Sequence, residues 1–290
     1  MKKHIGLVAA LLVVVPAWAG PAIIDGTLDA SYGPPRALQD TPTGFGDSNL
    51  GMIDFANGSE LDGAYGYVNS GTLYMFLSGN LESNFNKLEI FFDTMPGGQN
   101  TLRNDNPNVD FNGLNRMAGM TFDSAFSPDF WVGVTGGGSP YAMFANGAQL
   151  LTTGGGQGDY MGTTGAGGPG ILSGGNNFMN LMVTINNSNT GGVTGTIVDT
   201  PASVTTGVEL AIPLASIGNP VGPFGVAAMI NGSGHDFMSN QVLGGVGGAG
   251  NLGDPAFVNF ENIPGNQYFL VPEPASLLGL ALLGLLVRRR

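Results

Sequence analysis

The chain has 290 residues, 42% of them apolar, which is enough for one large core, with 50 glycines, 10% charged residues and no cysteine. Missing thiols exclude a disulfide framework, a cysteine nucleophile and thiolate metal sites. Between residues 20 and 270, only Arg36, Lys87, Arg103 and Arg116 stand against twenty acids. Four cations against twenty anions leave a net charge of −16 there, a surface that repels phosphate backbones and argues against nucleic acid as a partner. Divalent cations and neutral polysaccharide remain compatible with it.

At the start, Met1-Lys2-Lys3-His4 precedes an apolar run from residue 5 to 15 and then Pro16-Ala17-Trp18-Ala19. A basic head, a short apolar stretch and an A-x-A site read as a secretory signal peptide. Ala17 and Ala19 mark its cleavage site, so signal peptidase and the secretion machinery are expected partners. Residues 20–270 then read as a single domain. Lys87-Leu88-Glu89-Ile90-Phe91-Phe92-Asp93 alternates, with Leu88, Ile90 and Phe92 on one face. Val208-Glu209-Leu210-Ala211-Ile212 alternates too, with Glu209 expected to point outward. The runs 73–77, 178–185 and 224–230 are more continuously apolar, as central strands often are. Weaker strand candidates are 64–68, 119–122, 130–134, 141–144 and 194–198. A helical turn is expected at 213–217. Segments 154–177 and 244–253 are glycine-rich and read as long surface loops. Many short strands separated by turn residues predict an all-β, antiparallel sandwich with long Gly-rich loops.

Few residues offer chemistry. His235, in Gly232-Ser233-Gly234-His235-Asp236, is the one histidine of the body; it lacks a nucleophile elbow and reads as a loop histidine. Asn104-Asp105-Asn106-Pro107-Asn108-Val109-Asp110 is dense in hard oxygen donors. It reads as a solvated Asx-turn loop, or as a calcium site with Asp105 and Asp110 as ligands. Trp131, Tyr65 and Tyr67 sit near predicted strand ends. They read either as core or as a stacking platform for sugar rings.

The chain ends with Val271-Pro272-Glu273-Pro274, the apolar stretch 275–287 and Arg288-Arg289-Arg290. As a helix that stretch would be about 20 Å long, short of a hydrocarbon core of roughly 30 Å. It suits a transient transmembrane helix, with the arginine cluster kept cytoplasmic. Together these three parts resemble the PEP-CTERM sorting signal. The resemblance implies a Gram-negative host, an exosortase as partner, processing near Pro272, transient inner-membrane anchoring, and delivery to the cell surface or extracellular matrix. Its members are commonly linked to exopolysaccharide and biofilm.

The body is similar to the DOMON-like and family 9 carbohydrate-binding-module-like sandwiches. The resemblance rests on Ile24-Asp25-Gly26-Thr27-Leu28-Asp29, Glu60-Leu61-Asp62-Gly63-Ala64-Tyr65, Leu73–77, Leu88–93 and Val208-Glu209-Leu210-Ala211-Ile212-Pro213-Leu214. It implies one sandwich over about residues 23–270, although the paired tryptophans of the family's sugar binders are reduced here to Trp131. The combined expectation is a non-enzymatic exported protein with a structural or adhesive role, with a carbohydrate-binding module or a secreted glycan-active enzyme as alternatives.

Overall fold

A computed structural model describes residues 20–45, 58–164, 170–188, 200–248 and 250–272. The expected strand 194–198, the signal peptide with Ala17 and Ala19, and the tail from Glu273 and Pro274 to Arg288, Arg289 and Arg290 lie outside these residues. Among the described residues no helix is long and apolar enough to cross a membrane.

The described chain forms thirteen strands in two antiparallel sheets. They are β1 (Ala37–Leu38), β2 (Glu60–Asn69), β3 (Thr72–Asn80), β4 (Lys87–Asp93), β5 (Phe130–Gly137), β6 (Ala142–Gln149) and β7 (Gly158–Thr164), followed by β8 (Ser173–Gly174), β9 (Met182–Ile185), β10 (Gly207–Pro213), β11 (Phe224–Asn231), β12 (Met238–Val242) and β13 (Phe269–Val271). One sheet runs β1-β2-β3-β10-β9 and the other β12-β11-β4-β5-β6-β7-β8, with β13 added to β11. A four-residue helix, α1 (Gly113–Arg116), lies in the connection between β4 and β5.

The two sheets meet face to face over one core. Leu73, Met75, Leu77 and Leu210 from the first sheet pack with Leu88, Ile90, Phe92, Val132, Val134, Val226 and Ile230 from the second. Each such side chain contributes about 1.5–3 kcal/mol through its removal from water. The alternation read in β4 holds: Leu88, Ile90 and Phe92 face this core, and Phe91 faces the other way.

Both outer faces are covered as well, which is why several strands are apolar on both sides. On the second sheet, Phe91, Trp131, Ala227 and Met229 are roofed by Leu102, Leu114, Met117, Phe122 and Phe126 from residues 94–129, and by Val258 and Phe260. On the first sheet, Tyr65, Tyr67 and Phe76 pack with Tyr32, Ala22 and Leu28 of the N-terminal segment.

This second covering corrects the expectation for Glu209. Its side chain does point away from the inter-sheet core, but it is 0% exposed. The carboxylate accepts hydrogen bonds from the backbone N–H groups of Asp25 and Gly26 (2.8 and 2.9 Å) and from the Tyr32 hydroxyl (2.7 Å). Burial raises its pKa above the usual carboxylate value, against the pull of these donors.

Three further expectations change. Segment 154–177 is not simply loop: it contains β7, whose backbone pairs with the free edge of β6, and β8. Gly162, at φ +125°, makes the β7–β8 pairing feasible, because a Cβ there would lie 2.6 Å from the Ser173 carbonyl oxygen. Residues 119–122 form no strand; Thr121 makes only single bridges to Thr101 and Asn259. In 178–185 the strand begins at Met182, because the Asn177 carboxamide bonds both the N–H and C=O of Leu181 and holds a turn before it. The turn expected at 213–217 is a 3-10 turn at Leu214–Ile217.

Candidate functional site: an aromatic cleft over a buried ion chain

On the outer face of the second sheet, beside the roof just described, lies a cleft of about 660 Å³. Its walls are Phe85, Phe111, Phe144 and Tyr160, and its polar lining is Lys87, Asp110, Thr135, Asn146 and Ser233. Alternation places them there. Lys87 on β4 pairs with Thr135 on β5, Thr135 with Phe144 on β6, and Asn146 with Tyr160 on β7, so all project to the same side. Phe85 comes from the turn before β4 and its ring centroid is 6.2 Å from that of Phe144. Phe111 comes from the 94–129 connection and is 82% exposed.

Beneath the cleft a chain of four ionisable side chains runs inward. Lys87 Nζ lies 3.0 Å from Asp110 Oδ1 and Oδ2. Asp110 Oδ2 is 3.0 Å from His235 Nε2, and His235 Nδ1 is 2.7 Å from Glu89 Oε1. Glu89 also accepts from Trp131 Nε1 (2.8 Å) and from Asn231 Nδ2 (3.3 Å). The charges alternate, so the chain compensates itself inside the fold. Burial disfavours the His235 imidazolium, but the Glu89 and Asp110 carboxylates outweigh it and raise its pKa from 6.5 to about 9. Burial likewise works against the Asp110 carboxylate, but His235 and Lys87 bring its pKa below the usual value.

The backbone around the cleft is strained. Asp110, Phe111 and Asn112 are consecutive left-handed residues (φ 46°, 56° and 69°), and Phe85 and His235 share that conformation (φ 64° and 58°). Among the described residues these are five of the eight non-glycine positions with positive φ. Each costs of the order of 1–3 kcal/mol and persists only where surrounding contacts enforce it, commonly at ligand-binding sites. Gly113 follows directly: a Cβ there would come within 2.7 Å of the His235 ring, so only glycine lets the loop close over the imidazole.

Among the residues singled out from sequence, Trp131 is 0% exposed and hydrogen-bonded to Glu89, so its ring faces belong to the core and cannot stack on a sugar. Tyr65 and Tyr67 are buried beneath the N-terminal segment; the Tyr67 hydroxyl donates to the Gly20 carbonyl (2.7 Å). Asp105 and Asp110, the two candidate calcium ligands, have separate partners. Asp105 is at the surface in a bidentate pair with Arg103 (2.8 and 2.6 Å), while Asp110 is committed to Lys87 and His235. Each carboxylate already has a side-chain cation. Among the described residues no group of three or more histidines and acids is arranged to hold a metal. Of the sorting motif, Val271 is buried as the last residue of β13, paired with Phe224, and Pro272 follows it.

The cleft residues that sequence reading missed are Phe85, Phe111, Phe144 and Tyr160, together with Lys87, Glu89 and His235 beneath them. Phe111 carried one usable signal: it is the lone aromatic in the polar run Asn108-Val109-Asp110-Phe111-Asn112-Gly113.

Fold and site together define an all-β protein of two packed antiparallel sheets, with an aromatic-walled cleft on one outer face. No family model, curated protein or solved structure matches the chain.

Proposed function

We propose that this chain is an exported, non-enzymatic protein of the cell surface or extracellular matrix, sorted by an exosortase, that adheres to extracellular polysaccharide through its aromatic cleft. The carrying observation is the cleft itself. Exposed rings offer flat apolar faces to the C–H faces of a pyranose, while the Asn146 carboxamide and the Ser233 hydroxyl sit within the same walls to meet sugar hydroxyls. The backbone of Asn146 belongs to the β5–β6–β7 ladder, while its buried carboxamide makes no side-chain hydrogen bond to other described residues, which leaves it for a ligand. Because Lys87 and Asp110 neutralise each other and residues 20–270 are strongly acidic, a neutral glycan fits better than an acidic one.

Binding is favoured over hydrolysis by one specific feature. Asp110 is the only carboxylate among the described lining residues, and it is tied to two cations, whereas glycoside cleavage needs a pair of available carboxyl groups.

Two measurements test the proposal. Substituting both Phe111 and Tyr160 by alanine should weaken retention on neutral polysaccharide at least about tenfold, with stability within about 1 kcal/mol of the parent because the rings are 82% and 40% exposed. Unchanged retention would count against the cleft. The extracellular form should have an intact mass that begins near Gly20 and ends shortly after Pro272. Trimming before Phe269 would strip β13, with Phe269 and Val271, from the core. A mass that still contains residues 275–290 would contradict sorting.

A further inference from the structure

We infer that Phe111 is a clamped lip of the cleft, positioned by the Lys87–Asp110–His235–Glu89 chain, so that ligand affinity depends on that chain staying intact. This rests on the reading of the cleft as a glycan site, and deepens it by naming what holds the site in shape.

Phe111 is the most exposed ring of the cleft, and no apolar packing explains why it stands where it does. Its neighbours are fixed instead by polar anchors. Asp110, one residue before it, is tied to Lys87 of β4 and to His235 of the β11–β12 turn. Just beyond it, Gly113 rests on the His235 ring, and Asn115 bonds the Asn112 side chain (2.7 Å) and the Asn106 backbone. Lys87 Nζ is itself 6.0 Å from the Phe111 ring centroid, so the anchor and the lip are adjacent.

The anchor works against stored strain. A run of three left-handed residues centred on an exposed aromatic relaxes if its tether is cut. The link whose charge is set nearest to neutrality is His235, its pKa held at about 9 within a closed set. The groups facing His235 are Glu89 on β4, Asp110 on the connection, and the Trp131 ring at 6.1 Å on β5. Outside them, Arg116 of α1 bonds the Gly234 carbonyl and pairs with Asp236 at 3.8 Å. With the His235 proton gone, Glu89 and Asp110 lose the cation between them, and only Lys87 continues to hold the lip.

The wild-type chain provides its own reporter, because Trp131 lies beside His235 and a protonated imidazole quenches indole emission. Incorporating 4-fluorophenylalanine at position 111 gives a second reporter, read by fluorine NMR. As pH rises from about 7 to about 10, Trp131 emission should increase and the fluorine resonance should move to the averaged position of a mobile ring, both with one midpoint near 9. Affinity for hydroxyethylcellulose, a soluble neutral glucan, should fall about tenfold over the same range, with the far-ultraviolet circular dichroism unchanged. Asp110→Asn, which keeps the shape and removes the charge, should show the mobile ring and the weak binding already at neutral pH. A fluorine resonance that stays fixed through the Trp131 transition, or tight binding by Asp110→Asn with an ordered ring, would overturn the clamp. Wild-type chain that binds no neutral glucan at any pH would overturn the glycan reading instead, while the fluorine readout still judges the clamp.

Discussion

Replacing His235 by alanine is expected to lower the unfolding free energy by about 3–5 kcal/mol, the range found when one partner of a buried ion pair is removed. His235 is wholly buried between two carboxylates, and its loss would leave the inner oxygen of Glu89 facing only the Asn231 amide. Urea unfolding followed by Trp131 emission measures the change. A loss below about 1 kcal/mol would show that the chain is not a closed electrostatic unit.

The same residue sets a pH dependence with a definite sign. Its folded pKa, about 9, lies above the ordinary 6.5, so its contribution is complete below about pH 6.5, declines as pH rises, and is gone above about 9. The full amount is about 3 kcal/mol, comparable with the expected cost of the substitution. Asp110 acts in the opposite direction, since its folded pKa is depressed: its contribution is present at neutral pH and is lost on acidification. Stability should therefore be highest on a plateau from weakly acidic to neutral pH, and His235→Ala should lose the alkaline limb of the profile.

Trp131→Ala is expected to cost about 3–5 kcal/mol, lowering the melting temperature by roughly 10 °C or more for a domain of this size. The indole fills the space between the second sheet and its roof, among Phe91, Leu114 and Met229, and its N–H neutralises part of the Glu89 carboxylate. Because this removes the only tryptophan between residues 20 and 290, melting is best followed by circular dichroism. A variant that melts normally yet loses polysaccharide binding would return Trp131 to the ligand site. The expected pattern is the reverse of that for Phe111 and Tyr160, where binding falls and stability stays.

Several strands were legible because a strand records its own faces. In β4 the alternation of Leu88, Ile90 and Phe92 is a property of seven consecutive residues, and it survives whatever packs on either side. The continuous apolarity of β3 and β11 was equally readable, although its cause was not. Tyr74 and Phe76 face the N-terminal segment, while Ala227 and Met229 face the 94–129 roof, and neither cover could be placed from local pattern. Glu209 shows the cost of that gap. Its alternation was read correctly, but solvent was assumed where residues 20–33 lie. β7 escaped for a related reason: the sequence Gly158–Thr164 has little intrinsic strand preference, and becomes a strand because β6 offers it a free edge.

By itself the sequence determined the β-rich class, the inward faces of the main strands, the strong acidity, and the expectation of an address at each end. All of these are written in runs of neighbouring residues or in summed composition. Only the tertiary structure decided that Trp131 is a core residue, that Asp110 pairs with Lys87, and that a loop histidine lies between two carboxylates. His235 and Glu89 are 146 positions apart, and Trp131 and Glu89 are 42 apart. Contacts over such separations leave no periodicity in the chain. They arise when sheet register and loop closure bring charges together in a medium too apolar to leave them unpaired.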